Sequence, residues 1–372
     1  MRPPAVVRSA ARRARHDNRR MIADYQRRSR RHIPPEQYMC ELHDAANVLE
    51  VEDLHSCFIT EEGLLKAVDG VSFAIPRGQT LALVGESGCG KSTTALSLMR
   101  LLPAPQGQIT GGAIRLAVDG AAYDIAQTPP ALMQSLRGNK LTMIFQEPAS
   151  CLDPVFRVGM QVEEVLRQHQ PQLSAGQRRR RVIELLNTVG IAGSAYRQYP
   201  HQLSGGMRQR VMIAMALACS PSLLIADEPT AALDVTMQAQ ILELLQELKQ
   251  RQKLSLLLIS HDLALVAEMA ERVAVMYAGR IVEQGLTAEL LRRPAHPYTQ
   301  ALLAARPRRG GGPLRTIAGN PPDPLALPGH CYFRERCACC TAACAGAYPR
   351  MRALSATHSA ACYLIGGEDG DD

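Results

Sequence analysis

A chain of 372 residues, 46% of them apolar, is long enough for two to three domains and a large core. Its apolar runs, such as Val211 to Cys219 and Leu254 to Ile259, fall far short of the ~20 residues that span a bilayer, and no signal peptide is evident, so a cytosolic chain is expected. The net charge of +7 is concentrated in residues 1–38, where eleven Arg face three acids; with no Trp and 4% aromatic residues, a basic, base-stacking nucleic-acid surface is not expected.

In chain order, residues 1–45 read as a basic, disordered tail, with Met39 as an alternative start. Val48 to Cys57 and Val71 to Ile75 read as strands around the turn-like Thr60-Glu61-Glu62-Gly63. Thr80 to Val84 is a short apolar strand running into glycines. Lys91 to Leu102 has helical spacing, with Ala95, Leu98, Met99 and Leu102 on one face, and Pro103 and Pro105 stop it. Thr128 to Gln202 reads as mainly helical. Leu223 to Ala226 is a buried strand, Gln238 to Leu248 a helix and Leu254 to Ser260 another strand. This alternation predicts an α/β fold, a mostly parallel sheet covered by helices. Past Gly285 the composition turns to Pro, Gly, Arg and then Cys, so a separate C-terminal module is expected from residues 286–310 onward. No internal repeat is present.

Gly85-Glu86-Ser87-Gly88-Cys89-Gly90-Lys91-Ser92 fits the phosphate-loop pattern, after a strand and before a helix. Gly85, Gly88 and Gly90 allow backbone N–H groups to turn inward around phosphates. Ser87, Cys89 and Thr93 complete the ATP-contacting set, Lys91 is expected on the β- and γ-phosphates, and Ser92 on Mg²⁺. A thiol at Cys89 is also a candidate for alkylation. Leu223 to Glu228 places two carboxylates at the carboxyl end of a buried strand, where open α/β sheets bind ligands. Asp227 is expected in the Mg²⁺ shell, and Glu228 is expected to orient and deprotonate the attacking water.

Between these motifs lies Leu203-Ser204-Gly205-Gly206-Met207-Arg208-Gln209-Arg210, a Ser-Gly-Gly turn opening a helix. The order of phosphate loop, Ser-Gly-Gly turn and acidic pair resembles the ATP-binding subunits of ATP-binding-cassette (ABC) transporters. The resemblance implies a phosphate-loop nucleotide-binding domain over residues 46–285, a mixed sheet flanked by helices, with an antiparallel β subdomain and a helical subdomain at about 128–204. It implies that Ser204, Gly205 and Gly206 close over ATP held by a partner in a head-to-tail dimer. By the same resemblance Gln146 touches Mg²⁺ and water and relays nucleotide state, Asp234 lies in the loop that crosses between subunits, His261 senses the γ-phosphate and Phe58 stacks on adenine.

His296-Pro297-Tyr298-Thr299, Leu302-Leu303, the stretch from Gly319 to Pro322 and Cys331 to Cys337 resemble the tail of oligopeptide/dipeptide-importer ATP-binding subunits, a branch shared with nickel and glutathione importers. Residues 286–372 would be that extension. The family's four tail cysteines map to Cys331, Cys337, Cys344 and Cys362, spaced C-x5-C-x6-C-x17-C, and in related subunits such a set holds a [4Fe–4S] cluster. Zinc is the alternative, with Cys339 or Cys340 forming a close pair with Cys337, and free thiols are the third reading. The resemblance implies an ATPase at the cytoplasmic face of the membrane, acting with a homologous ATPase subunit, two membrane permeases and an extracytoplasmic solute-binding protein. A soluble ABC ATPase acting on ribosomes or DNA is the rival, although such proteins carry paired cassettes or long coiled coils that this sequence lacks.

Overall fold

The computed structural model describes residues 18–27, 31–146, 151–231, 233–305 and 316–365; much of the expected tail, residues 1–17 and 28–30, and the segment with Glu147 and Pro148 lie outside them. The described part of the expected tail is not featureless. Residues 18–27 form a helix (α1), and Asn18 Nδ2 donates to the carbonyl of Thr60 at 2.8 Å. Pro35–Tyr38 (α2) leads into the two-residue strand Met39–Cys40 (β1). Tyr25 and Ile33 line a groove with Leu102 and Ile109, so the few apolar side chains among the arginines find apolar surface.

Next come β2 (Asn47–Ile59), β3 (Leu64–Pro76), β4 (Thr80–Val84), α3 (Lys91–Leu98), β5 (Gly107–Val118) and β6 (Ala121–Asp124). An antiparallel five-stranded sheet runs in the order β1-β6-β5-β2-β3. After α4 (Pro130–Leu136) comes β7 (Leu141–Ile144), a strand inside the stretch expected to be mainly helical. Four apolar residues are too few for periodicity to separate strand from helix. The helices of that region are α5 (Val158–His169) and α6 (Ala175–Thr188), the latter opened by a capping box in which Ser174 and Gln177 satisfy each other's backbone N–H.

The remaining cassette elements are α7 (Gly205–Leu217), β8 (Leu223–Asp227), α8 (Val235–Gln252), β9 (Ser255–Ser260), α9 (Leu263–Met269), β10 (Arg272–Tyr277) and β11 (Arg280–Leu286). Every residue of β4, β8 and β9 is buried, as parallel strands covered on both faces require. They sit side by side in a parallel run β10-β4-β9-β8-β7, with Val84 opposite Ser260 and Asp227 opposite Ile259. The loops that follow β4, β8 and β9 therefore open at one sheet edge.

Beyond Leu286, α10 (Thr287–Arg292) and α11 (Pro297–Ala304) precede irregular chain and the short strands β12 (Arg352–Ala353) and β13 (Ser359–Ala360). The C-terminal segment is joined to the cassette. Strand β13 pairs antiparallel with β11, carrying the main sheet to eight strands and covering an edge that would otherwise be open. Phe333 packs between Tyr277 and Tyr298, with ring centroids 5.3 and 5.4 Å away. Glu283, wholly buried in β11, accepts the N–H groups of Ala295 (2.8 Å) and His296 (2.9 Å), and its Oε1 lies 2.8 Å from His358 Nε2. Among the described residues no helix is long and apolar enough to cross a membrane.

Burial also sets an acid limit. His296 Nδ1 accepts the N–H of Tyr298 at 3.0 Å, and desolvation pushes its pKa from 6.5 down to about 4. Below pH 6.5 the unfolded chain takes up a proton that the folded chain refuses until about pH 4, so stability falls as the pH drops through this window, by about 3 kcal/mol in full. In urea unfolding between pH 7 and 4, His296→Asn, which keeps a capping acceptor without the titration, should lose that part of the slope. An unchanged slope would remove His296 as its source.

Candidate functional site

The loop after β4 is shaped by two glycines. A Cβ at Gly85 would lie 2.1 Å from the carbonyl oxygen of Met276, and one at Gly90 (φ +108°) would lie 2.3 Å from that of Ala67, so only glycine fits either place. Lys91 is buried, and its Nζ donates to the carbonyls of Gly85 and Glu86, both at 2.9 Å. Ser87 and Gly88 are exposed at the rim, and Thr93 is half-buried in the first turn of α3. Cys89 is buried and its thiol pKa is raised by that burial, so it is shielded from the alkylation its position suggested.

Across the sheet, Ser92 Oγ donates to Asp227 Oδ1 at 3.1 Å. Burial raises the pKa of Asp227, the Ser92 hydrogen bond opposes the rise and the charge of Glu228 adds to it. A hydroxyl beside a carboxylate offers the oxygen ligands that Mg²⁺ takes, and a bound cation would reverse the shift. Glu228 stands at the turn leaving β8 with φ +46°, held by its N–H donating to the carbonyl of Ile259 at 3.0 Å. Its two carboxylate oxygens are both engaged: Gln146 Nε2 donates to Oε2 at 3.1 Å, and His261 Nδ1 lies 3.2 Å from Oε1. Three residues far apart in sequence thus form one polar trio beside the Ser92–Asp227 pair. Such a carboxylate can orient a water and accept its proton.

Ser204 caps α7, its Oγ accepting the N–H of Met207 at 3.3 Å, and both Ser204 and Gly205 are exposed. The contacts of this turn run to α8: the methyl of Met237 covers Gly206, and Asp234 caps α8 by accepting the N–H of Met237 at 2.9 Å. The Ser-Gly-Gly turn and Asp234 therefore share one exposed corner. Phe58 is half-buried at the end of β2 with its ring edge close against Gly107.

In the C-terminal extension Cys344 and Cys362 are buried, Cys331 and Cys337 half-buried, and none forms a disulfide. Burial pushes the Cys331 thiol up to about 11, and the charges of Cys344, Cys362 and Cys337 add to the rise. The four expected cysteines thus share one neighbourhood. Cys339 and Cys340 join it, the first acting on Cys337 and Cys362, the second hydrogen-bonding Cys344. As arranged, no group of three His, Cys, Asp or Glu among the described residues could hold a metal ion.

Comparison with known proteins is decisive about kinship. The ABC transporter profile matches residues 68–231, and the profile of the oligopeptide/dipeptide transporter C-terminal region matches residues 282–344. The dipeptide transport ATP-binding protein DppD of Bacillus subtilis (strain 168) is 46% identical over 321 residues, covering 85% of this chain and 94% of DppD. The chain belongs to the oligopeptide/dipeptide branch of ABC-transporter ATP-binding proteins. The oligopeptide transport ATP-binding protein AppD of the same organism is 45% identical over 323 residues, covering 86% of this chain and 97% of AppD. Among solved structures, the dimeric cassette MJ0796 bound to ADP and Pi superposes with a TM-score of 0.57 at 26% identity, over 64% of this chain and 98% of that one. The cbiO1 protein of Clostridium perfringens gives 0.56 at 28% identity, over 67% and 92%. As an ABC ATPase, the chain binds ATP with Mg²⁺ and hydrolyses it.

Sequence reasoning quoted three residues only as members of motifs and missed that they tie this ABC cassette together. Gln209, buried in α7, donates through Nε2 to the carbonyl of Pro229 at 2.6 Å, joining the Ser-Gly-Gly helix to the turn after Glu228. Tyr298 and Arg336 both reach Glu86. The available hint for Arg336 was its place directly before Cys337.

The left-handed backbone at Glu228 implies stored strain. Glu228→Gly should therefore unfold at higher denaturant than Glu228→Ala, by about 1 kcal/mol, because only glycine adopts that conformation without a Cβ penalty. Equal stability of the two variants, measured side by side, would show the turn to be relaxed.

Proposed function

We propose that this ATPase powers the import of dipeptides, oligopeptides or a related small solute through a membrane ABC transporter. The reading is carried by one coincidence: the Gln146–Glu228–His261 trio and the oligopeptide/dipeptide C-terminal region occur on the same chain. The names of DppD and AppD point the same way. Glu228 acts as general base on the attacking water, Gln146 touches that water and relays nucleotide state, His261 senses the γ-phosphate, and Ser92, Asp227 and Gln146 would hold Mg²⁺. Gly85 and Ser87 to Thr93 cradle the phosphates, with Lys91 released from its backbone carbonyls to reach them, and Phe58 stacks on adenine.

The exposed corner of Ser204 to Gly206 and Asp234 serves a second, homologous ATPase subunit in a head-to-tail dimer. Two membrane permeases dock beside Gln146, on the cytoplasmic face of the cell membrane, and an extracytoplasmic binding protein delivers the solute. What supports the permease face is its apolar character: Phe145, Val155, Phe156 and Met160 are exposed, next to a groove of about 270 Å³ lined by Met99, Leu101, Phe145, Cys151 and Met215. One cassette and an importer-type tail leave ribosome or DNA work without support.

Cys331, Cys337, Cys344 and Cys362 hold a [4Fe–4S] cluster in this reading. What supports it is that the four thiols lie near enough to feel one another's charge in a segment with little regular structure; as they stand they do not converge on a metal, so they would have to close around the cluster. When bound, the cluster ties that segment together.

Glu228→Gln should bind ATP yet turn it over roughly 10²–10⁴-fold more slowly, with ATP-bound dimer accumulating in size-exclusion chromatography. Wild-type turnover in this variant would take Glu228 out of the mechanism. Protein purified without oxygen should be brown, with about four iron atoms per chain, and Cys337→Ser or Cys344→Ser should bleach it. Colourless protein with one zinc, dependent on Cys339 or Cys340, would replace the cluster with a zinc site.

A further inference from the structure

Glu86, the second residue of the phosphate loop, is held from three sides. Its carbonyl accepts from Lys91 Nζ at 2.9 Å, inside the loop. Its N–H donates to Tyr298 Oη at 2.9 Å, so this amide is turned towards α11. Its carboxylate is gripped by Arg336 in a two-pronged pairing, Nη1 to Oε2 at 2.7 Å and Nη2 to Oε1 at 2.9 Å. Two of the three anchors come from beyond residue 286, in the C-terminal extension.

Arg336 is itself fixed. Its side chain is 5% exposed, Nε donates to the carbonyl of Ala318 at 3.0 Å, and Nη2 reaches that of Ile317 at 3.3 Å. Nη1 also reaches Tyr277 Oη at 3.2 Å, and the guanidinium lies over the rings of Tyr277 and Phe333. A planar fork so supported matches a carboxylate far better than a lysine could.

The charges explain what the pairing is for. A phosphate loop works by gathering positive potential around a polyanion, yet this one carries a carboxylate on its rim. Left alone, Glu86 would repel the triphosphate. We propose that Arg336 is a positioning residue for ATP: reaching from the C-terminal extension, it neutralises the Glu86 carboxylate beside the phosphate site, so that the extension sets the cassette's affinity for nucleotide. Because such coupling is reciprocal, bound ATP in turn tightens the Arg336 segment.

The test uses the full-length chain, with ATP affinity measured calorimetrically alongside kcat and KM. Arg336→Gln should weaken ATP binding and raise KM by about tenfold, a usual size for coupling between sites, while kcat changes far less. The loss should shrink as salt is raised, since it comes from an unscreened carboxylate. Adding Glu86→Gln to that variant should restore affinity to near the wild-type value. Glu86→Gln alone should bind ATP at least as tightly as wild type even if it melts earlier. Arg336→Lys, which keeps the charge and loses the fork, should fall between wild type and Arg336→Gln, and it substitutes for the latter should that variant not fold. A tenfold loss in Glu86→Gln alone, or no rescue in the double variant, would overturn the proposal and leave Arg336 a structural residue. An equal fall of kcat and of folded protein with KM unchanged would do the same.

Discussion

The nucleotide edge of this cassette depends on the parallel pairing of β9 with β4 on one side and β8 on the other. Each strand supplies one chemical part where it ends: the phosphate loop after β4, the acidic pair at the end of β8, His261 after β9. Register is what brings the parts together. Slipping any one strand by a residue would turn its side chains to the opposite face and move its loop by about 3.3 Å, more than the hydrogen bonds from Gln146 and His261 to Glu228 could absorb. The complete burial of the three strands is therefore a condition of the chemistry as well as of stability, because close packing on both faces leaves no room for a slipped set of side chains.

Around that frame the structure places polar groups where they are costly. Glu228 is held in left-handed backbone, Asp227 is buried beside another carboxylate, and Lys91 is spent on carbonyls within its own loop. In the proposed site the two charge costs would be relieved on binding: a cation would offset the paired carboxylates, and phosphates would take the lysine.

Much of this could be read from the sequence, for reasons that differ from element to element. Strands β4, β8 and β9 stood out because strands covered on both faces read as unbroken apolar runs. The meeting of Gln146, Glu228 and His261 could be anticipated only through the resemblance, since no local pattern connects them. Strand β7 was hidden by its length, and β12 and β13, two residues each, lie below any periodic signal. The helix at residues 18–27 was hidden by the segment's arginines, whose charge outweighs Tyr25 and Ile33 in any compositional reading. The pairing of Arg336 was hidden for a different reason. Its partner lies 250 residues away, and a bidentate pair at that separation leaves no mark in either local sequence.

The buried carboxylate of Glu283 has a consequence for how the chain is made. Its partner His358 follows 75 residues later, and the strand that covers β11 is finished only at Ala360. While the polypeptide emerges from the ribosome, the cassette's outermost long strand must wait, with an open edge and a carboxylate short of its histidine partner, until Ala360 has been synthesised. Release between Leu286 and His358 leaves a core whose β11 edge is free to recruit a neighbour's strand instead of its own.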